Sequence, residues 1–239
     1  MNANKSNAFF SKNRLGLFFN PFYFTRRELY RAIADLAPEF KGTLVDLGCG
    51  TKPYAAEFVH VDQYIGLDIQ TSGNHDGKSA VDVFYDGKTF PFENNSIDGF
   101  FSSETFEHIF NLEDIIREIH RVLKPGAPLL ATCPFFWPEH EVPYDFARYT
   151  SFAIQDLLKR NGFEIVQYQK TGNFLTSMLQ MQALYLYFFI NRIPLLSPLF
   201  FVLLISPLFV LGSLCNRILP GFMKRKDLYL NNVILAKKI

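Results

Sequence analysis

Two groups of residues in this chain have types and spacings that can do chemistry. Asp46, Gly48 and Gly50 stand in VDLGCGTKPY (45–54), and Asp68 follows 18 residues after Gly50. Glycines at a strand end let backbone amides approach a ligand closely, and a carboxylate about 20 residues further on can accept from ribose hydroxyls. Together they predict a nucleoside ligand, although D-x-G-x-G alone also suits a bare strand-to-helix turn. A pyrophosphate cofactor calls for G-x-G-x-x-G leading into a helix. Thr51, Lys52 and Pro53 follow Gly50 instead, so NAD is the weaker choice.

The second group is CPFFWPEHEVPYDFARYT (133–150), which gathers His140, Asp145, Arg148 and Tyr149 among Phe135, Phe136, Trp137 and Tyr144. His140 is the side chain there whose ordinary pKa suits a general base at neutral pH. The alternatives are a solvated His140 and an Asp145–Arg148 ion pair that only starts the next helix. Cys49, Cys133 and Cys215 lie far apart without a CxxC spacing, so neither a disulfide framework nor a metal site is expected. A reducing cytoplasm fits them best.

The elements that must position these groups follow from periodicity. Residues 25–37 repeat apolar positions at helical spacing up to Pro38. GTLVDLGCG, YIGLDI, AVDVFYDG and IDGFFSS read as strands. LEDIIREIHRVLKPGA is an amphipathic helix with a Pro-Gly stop, and PLLATCP is a fifth strand. TSFAIQDLLKRNG gives a capped helix, FEIVQYQK a sixth strand and LYLNNVILAKKI a last one. The alternation predicts an α/β fold, a Rossmann-like seven-stranded, mostly parallel sheet with helices on both faces. With 24 basic against 23 acidic residues, overall charge gives no reason to expect nucleic acid as a partner.

VDLGCGTKPY, GLDI, DGKTFPFENNSIDGF, ETFEHI and EIHRVLKPGAPLL, in this order, resemble the class I S-adenosylmethionine-dependent methyltransferases over roughly residues 25–170. The resemblance implies S-adenosyl-L-methionine as cofactor. Asp46, Gly48 and Gly50 would surround its methionine part, Asp68 its ribose and Ile69 its adenine. Asp86, with Gly87 beside it, would accept from the adenine amino group, with Asp82 as rival, and Ser103 would lie under the methionine end. His108, in FEHI, would stand near the cofactor crevice. The loop 133–150 would then carry the acceptor side. Lys52 departs from the Gly found in many relatives.

The chain is 49% hydrophobic and contains 27 Phe, more apolar surface than one core uses. Residues 1–24 form an aromatic N-terminal segment, not a signal peptide. Residues 25–170 and 223–239 form the methyltransferase domain, and 171–222 a hydrophobic helical insertion before the last strand. Residues 171–191 and 193–216 carry no charge, and about 20 apolar residues cross a bilayer. If the flanking strands share one sheet, a single span is excluded. A hairpin, an in-plane segment or a soluble cap remains, and Pro194, Pro198 and Pro207 favour a shallow insertion. The expectation is a cytoplasmic protein on the inner face of a membrane, acting on a small-molecule or lipid-linked acceptor such as a glycan intermediate. An apolar acceptor such as a prenylated quinone, or a catalytically silent membrane partner, are the rivals.

Overall fold

The computed structural model describes residues 16–70, 80–192 and 197–239; residues 1–15 of the N-terminal segment and Pro194 lie outside the described residues. Seven strands are β1 Gly42–Leu47, β2 Val61–Ile69, β3 Val83–Tyr85, β4 Gly99–Ser103, β5 Pro128–Pro134, β6 Phe163–Lys170 and β7 Asn231–Lys238. They form one sheet in the order β3-β2-β1-β4-β5-β7-β6. β1 pairs in parallel with β2 and β4, β2 with β3, and β4 with β5. The expected seven-stranded Rossmann-like sheet is therefore present. Its order reverses between β1 and β4, where an open sheet forms its ligand crevice beyond the carboxyl ends of the strands.

The helices are α1 Gly16–Phe19, α2 Tyr23–Leu36, α3 Leu112–Val122, α4 Ser151–Arg160, α5 Phe174–Ile190, α6 Ser197–Phe200 and α7 Ser206–Ile218. α3 buries Ile115, Ile116, Ile119 and Val122 on one face, and carries Glu113 and Asp114 in its first turn and His120 and Arg121 in its last, matching the helix dipole. Thr150 caps α4 by accepting from the Ala153 amide at 3.2 Å.

The chain divides into two compact units. The sheet unit comprises 32–169 and 232–239. Val45, Leu47, Phe100, Leu129, Ala131 and Cys133 pack with the buried stripes of α3 and α4. Phe101, which alternates with Phe100, instead meets Tyr54 and Phe58 at 5.9 and 5.0 Å between ring centroids, so successive side chains of β4 serve opposite faces.

The helical unit comprises the described residues 16–31 and 170–231, so the end of the N-terminal segment clusters with the insertion. Its core is Tyr23, Phe24, Ala183, Ile190, Phe201, Ile205, Phe209 and Leu230. Asn173 and Thr176 form a reciprocal capping box that starts α5. Gln180, one of two Gln in the charge-free stretch 171–191, is buried inside this unit. It donates to the Pro21 carbonyl at 2.6 Å and accepts from the Phe24 amide at 3.0 Å. Between α6 and α7, Phe201–Ile205 is a π-helical turn that ends just before Pro207, which has no amide hydrogen for the helical ladder. The two ends of the insertion meet: the Thr171 amide donates to Asn231 and the Leu230 amide to Thr171, each at 3.0 Å.

Candidate functional site

β1 delivers its last residues to the reversal point of the sheet. Asp46 is buried and accepts from the Tyr64 hydroxyl at 2.7 Å. Asp46 pairs with Gly66 across the parallel ladder, so Tyr64, two residues earlier on β2, shares a face with Gly66 and reaches past it. Burial pushes the Asp46 carboxyl up to about 7, against the hydrogen bond from Tyr64 and the charge of Lys52. Burial and the neighbouring carboxylates push the Cys49 thiol up to about 12, so it carries its proton.

Gly48 turns the chain at φ +70°, and a Cβ there would stand 2.3 Å from Thr105 Oγ1. Gly50 has φ +51° and nothing within 4 Å of where its Cβ would lie, which leaves open space for a ligand against the backbone. Lys52 adopts φ 52°, a left-handed region that favours glycine. Its ammonium pairs with Asp82, which also accepts from the Gly66 amide at 2.7 Å. Asp82, the rival adenine acid, is thus engaged in holding this loop.

Asp68 sits near the end of β2, its Oδ1 accepting from the Ile69 amide at 2.8 Å. Gly87 lies beside Ile69, whose Cγ2 is 4.0 Å from the glycine's ideal Cβ position. Asp86 is exposed, and bonds from the Thr89 and Lys88 amides, both 2.8 Å, hold it below the usual carboxylate range. Ser103 ends β4 and contacts Thr132 Oγ1 at 3.0 Å. A buried acid, an open glycine turn, an acid at the end of β2 and a third next to Gly87 in the chain suit the carboxyl-edge crevice, and these groups fit an adenosyl cofactor with a charged methionine end.

The loop after β5 brings three of its four singled-out residues together. Arg148 forms a fork on Asp145 at 2.5 and 2.6 Å and also donates to the carbonyls of Trp137 and Pro138. Asp145 accepts from the His140 amide at 2.9 Å and lies 3.1 Å from His140 Nδ1. Burial opposes ionisation of Asp145, but the Arg148 and His140 bonds overcome it and hold the carboxyl at about 2. Burial and the neighbouring His108 keep His140 below its ordinary pKa, against the pull of Asp145, so the ring is neutral near pH 7. Tyr149 differs: its ring packs against the main core, and burial and nearby acidic groups push its phenol up to about 12.

His108, expected near the crevice, also meets His140 edge to face, 4.7 Å between ring centroids. Other members of this site were not read from the sequence. Glu107 is completely buried, and burial followed by the charge of Glu104 pushes its pKa well above the usual range. Glu104 accepts from the Thr132 hydroxyl at 2.8 Å. Asn232 of β7 donates to the Tyr149 carbonyl at 2.9 Å and accepts from the Tyr168 hydroxyl at 2.7 Å. The acidic pair inside ETFEHI was the available signal for Glu104 and Glu107.

Residues 45–131 match the family described as the methyltransferase domain. The chain is 27% identical over 149 residues to the O-methyltransferase resE of Aspergillus sclerotiorum, covering 52% of this chain and 56% of that protein. It is 29% identical over 123 residues to the sterol methyltransferase-like 3 of Botryococcus braunii, covering 46% and 31%. The chain thus spans about half or less of these curated relatives. The solved structure of phosphoethanolamine N-methyltransferase 2 of Haemonchus contortus, in complex with S-adenosyl-L-methionine, is similar at TM-score 0.55 and 19% identity over 94% of this chain and 55% of that one. At that identity the likeness shows the fold.

Proposed function

We propose that this chain, which carries a class I S-adenosylmethionine-dependent methyltransferase domain, methylates a hydroxyl oxygen of a lipid-linked or envelope-directed acceptor at a membrane surface. The cofactor supplies a methyl group already activated on a sulfonium, so the protein's main tasks are alignment and removal of the acceptor's proton. Asp68, Ile69, Asp86 and Gly87 would hold the adenosine, and Asp46, Gly48, Gly50 and Ser103 the methionine end. His140 would present a neutral ring nitrogen to the acceptor hydroxyl. Asp145 orients that ring through Nδ1, and Arg148 locks Asp145.

The observation that carries the membrane reading is the surface of the helical unit. Tyr185, Phe188 and Phe189 on α5 and Leu211, Leu214 and Ile218 on α7 recur at helical spacing, and all are more than half exposed. Phe201–Ile218 is 18 residues long with a mean hydropathy of 1.8, which meets a membrane span by length and composition. The tied ends at Thr171 and Leu230–Asn231 return the chain to one side, so a shallow or re-entrant insertion is favoured over a single crossing. Lys170, Lys224, Arg225 and Lys226 near those ends suit anionic headgroups on a cytoplasmic face. An apolar small-molecule acceptor would use the same surface.

The test is transfer of labelled methyl from S-adenosylmethionine into membrane extract, soluble extract or neither. Label in the lipid-soluble fraction supports the reading, and label confined to soluble products refutes the acceptor class. Asp68→Ala should abolish cofactor binding by calorimetry. His140→Ala should keep binding and lose turnover.

A further inference from the structure

Among the described residues, Glu107 is the only acid whose two carboxylate oxygens are both buried without a hydrogen-bond partner. A buried polar group left unmatched is costly, more so when it is charged, so a partner is expected. One ring nitrogen of His108, one of His140 and one oxygen of Glu107 all lie within 4.8 Å of one another. His108 Nε2 stands 3.7 Å from Glu107 Oε1 and 3.9 Å from Glu141 Oε2. These separations are too long for hydrogen bonds. Two ligands each about 2.1 Å from a shared ion lie about 3.0–4.2 Å apart, and the separations of His108 Nε2 from Glu107 and Glu141 fall in that range.

The outer contacts prepare both rings. His108 Nδ1 is 2.8 Å from the Tyr144 carbonyl, which can only accept, so Nδ1 carries the hydrogen and Nε2 the lone pair. His140 Nδ1 lies 3.1 Å from the Asp145 carboxylate and 3.3 Å from Arg148 Nη2; the tautomer that donates to Asp145 leaves the lone pair on Nε2, as in His108. A metal-ligating histidine usually shows this arrangement, its second nitrogen donating to a carbonyl or carboxylate.

We propose that Glu107, His108 and His140 bind a divalent transition-metal ion, with Glu141 at the exposed side offering a carboxylate oxygen as a fourth ligand. Two imidazoles with a carboxylate favour manganese, iron, cobalt or zinc over magnesium or calcium. The role of the ion rests on the methyltransferase reading above. An open position would take the acceptor hydroxyl oxygen and lower its pKa, the proton leaving to water while the oxygen keeps the electron pair. His140 would then serve as a ligand instead of a base.

The experiment is titration of Co2+ into the chelator-treated full chain, followed by visible absorption and calorimetry. Saturation at one ion per chain, with a nitrogen-ligated spectrum, is the expected result. Glu107→Gln and His140→Ala should each weaken binding by at least about 100-fold, and Asp145→Asn, which only orients His140, by about 10–100-fold. The absence of saturable binding by the wild-type chain up to about 1 mM Co2+ overturns the proposal, as does unchanged affinity in folded His140→Ala. The wild-type spectrum decides the matter even where a variant fails to fold. Co2+ binding without methyl transfer would leave the metal site standing and defeat the acceptor reading. Methyl transfer that persists in chelator, with no Co2+ binding, would do the reverse.

Discussion

The sheet unit and the helical unit are both rich in Phe, Leu and Ile, yet they place them differently. In the sheet unit most large apolar side chains of β1, β4, β5, α3 and α4 are buried on the two faces of the sheet, and the exposed ones, Phe110, Tyr144 and Phe152 among them, are scattered over loops and a helix start. In the helical unit a small core coexists with two stripes of exposed aromatic and aliphatic residues on α5 and α7. The first unit has the anatomy of a domain stable in water, and the second that of a surface made to meet something apolar.

The largest expected effect tests that contrast at the stripes. Replacing Tyr185, Phe188, Phe189, Leu211, Leu214 and Ile218 together by Ser should weaken sedimentation with anionic lipid vesicles by more than about 100-fold. Unchanged sedimentation would reassign the stripes to a protein partner. Next comes Phe100→Ala in the sheet core, expected to lower unfolding free energy by about 3–5 kcal/mol in urea titration. Phe188→Ala on the exposed stripe should change it by less than about 0.5 kcal/mol, and equal losses would erase the distinction between the units.

Asp46 should make the sheet unit pH-sensitive. The folded carboxyl keeps its proton up to about pH 7, whereas an unfolded aspartate releases it near 3.8. The folded state therefore binds more protons across that interval, and stability falls as pH rises through it, by on the order of 4 kcal/mol in all. Asp46→Asn should flatten the profile measured by thermal melting, and an unchanged slope would assign the pH dependence to other groups. The two loop glycines give the smallest contrast. Gly48→Ala meets Thr105 in addition to its positive φ and should cost about 2–3 kcal/mol, while Gly50→Ala meets only the backbone penalty of about 1 kcal/mol. Calorimetry with S-adenosylmethionine would show whether the added methyl at Gly50 still obstructs the ligand.

Much of the sheet was legible because local signals agree with the fold. β5 and β6 match their apolar runs, and α3 shows its buried stripe and Pro-Gly stop in plain periodicity. β3 proved only three residues long, since the reading extended through Asp82, which is occupied with Lys52 and Gly66. The residues proposed to hold the cofactor were singled out through ordered motifs. The surroundings that tune them were not, because Tyr64 reaches Asp46, and His108 meets His140, through sheet register and loop return, which single-sequence spacing does not encode. The buried state of Glu107 was equally invisible, since burial depends on how β4, β5 and the loop after β5 close over it.

The contact between Thr171 and Leu230–Asn231 makes the insertion a closed detour in the chain. A protease nick between 197 and 230 would leave the C-terminal piece carrying β7, held between β5 and β6 by ladder hydrogen bonds and by Asn232. The protein can therefore behave as a pair of complementing fragments, a long one that is nearly a domain and a short one that supplies its missing strand.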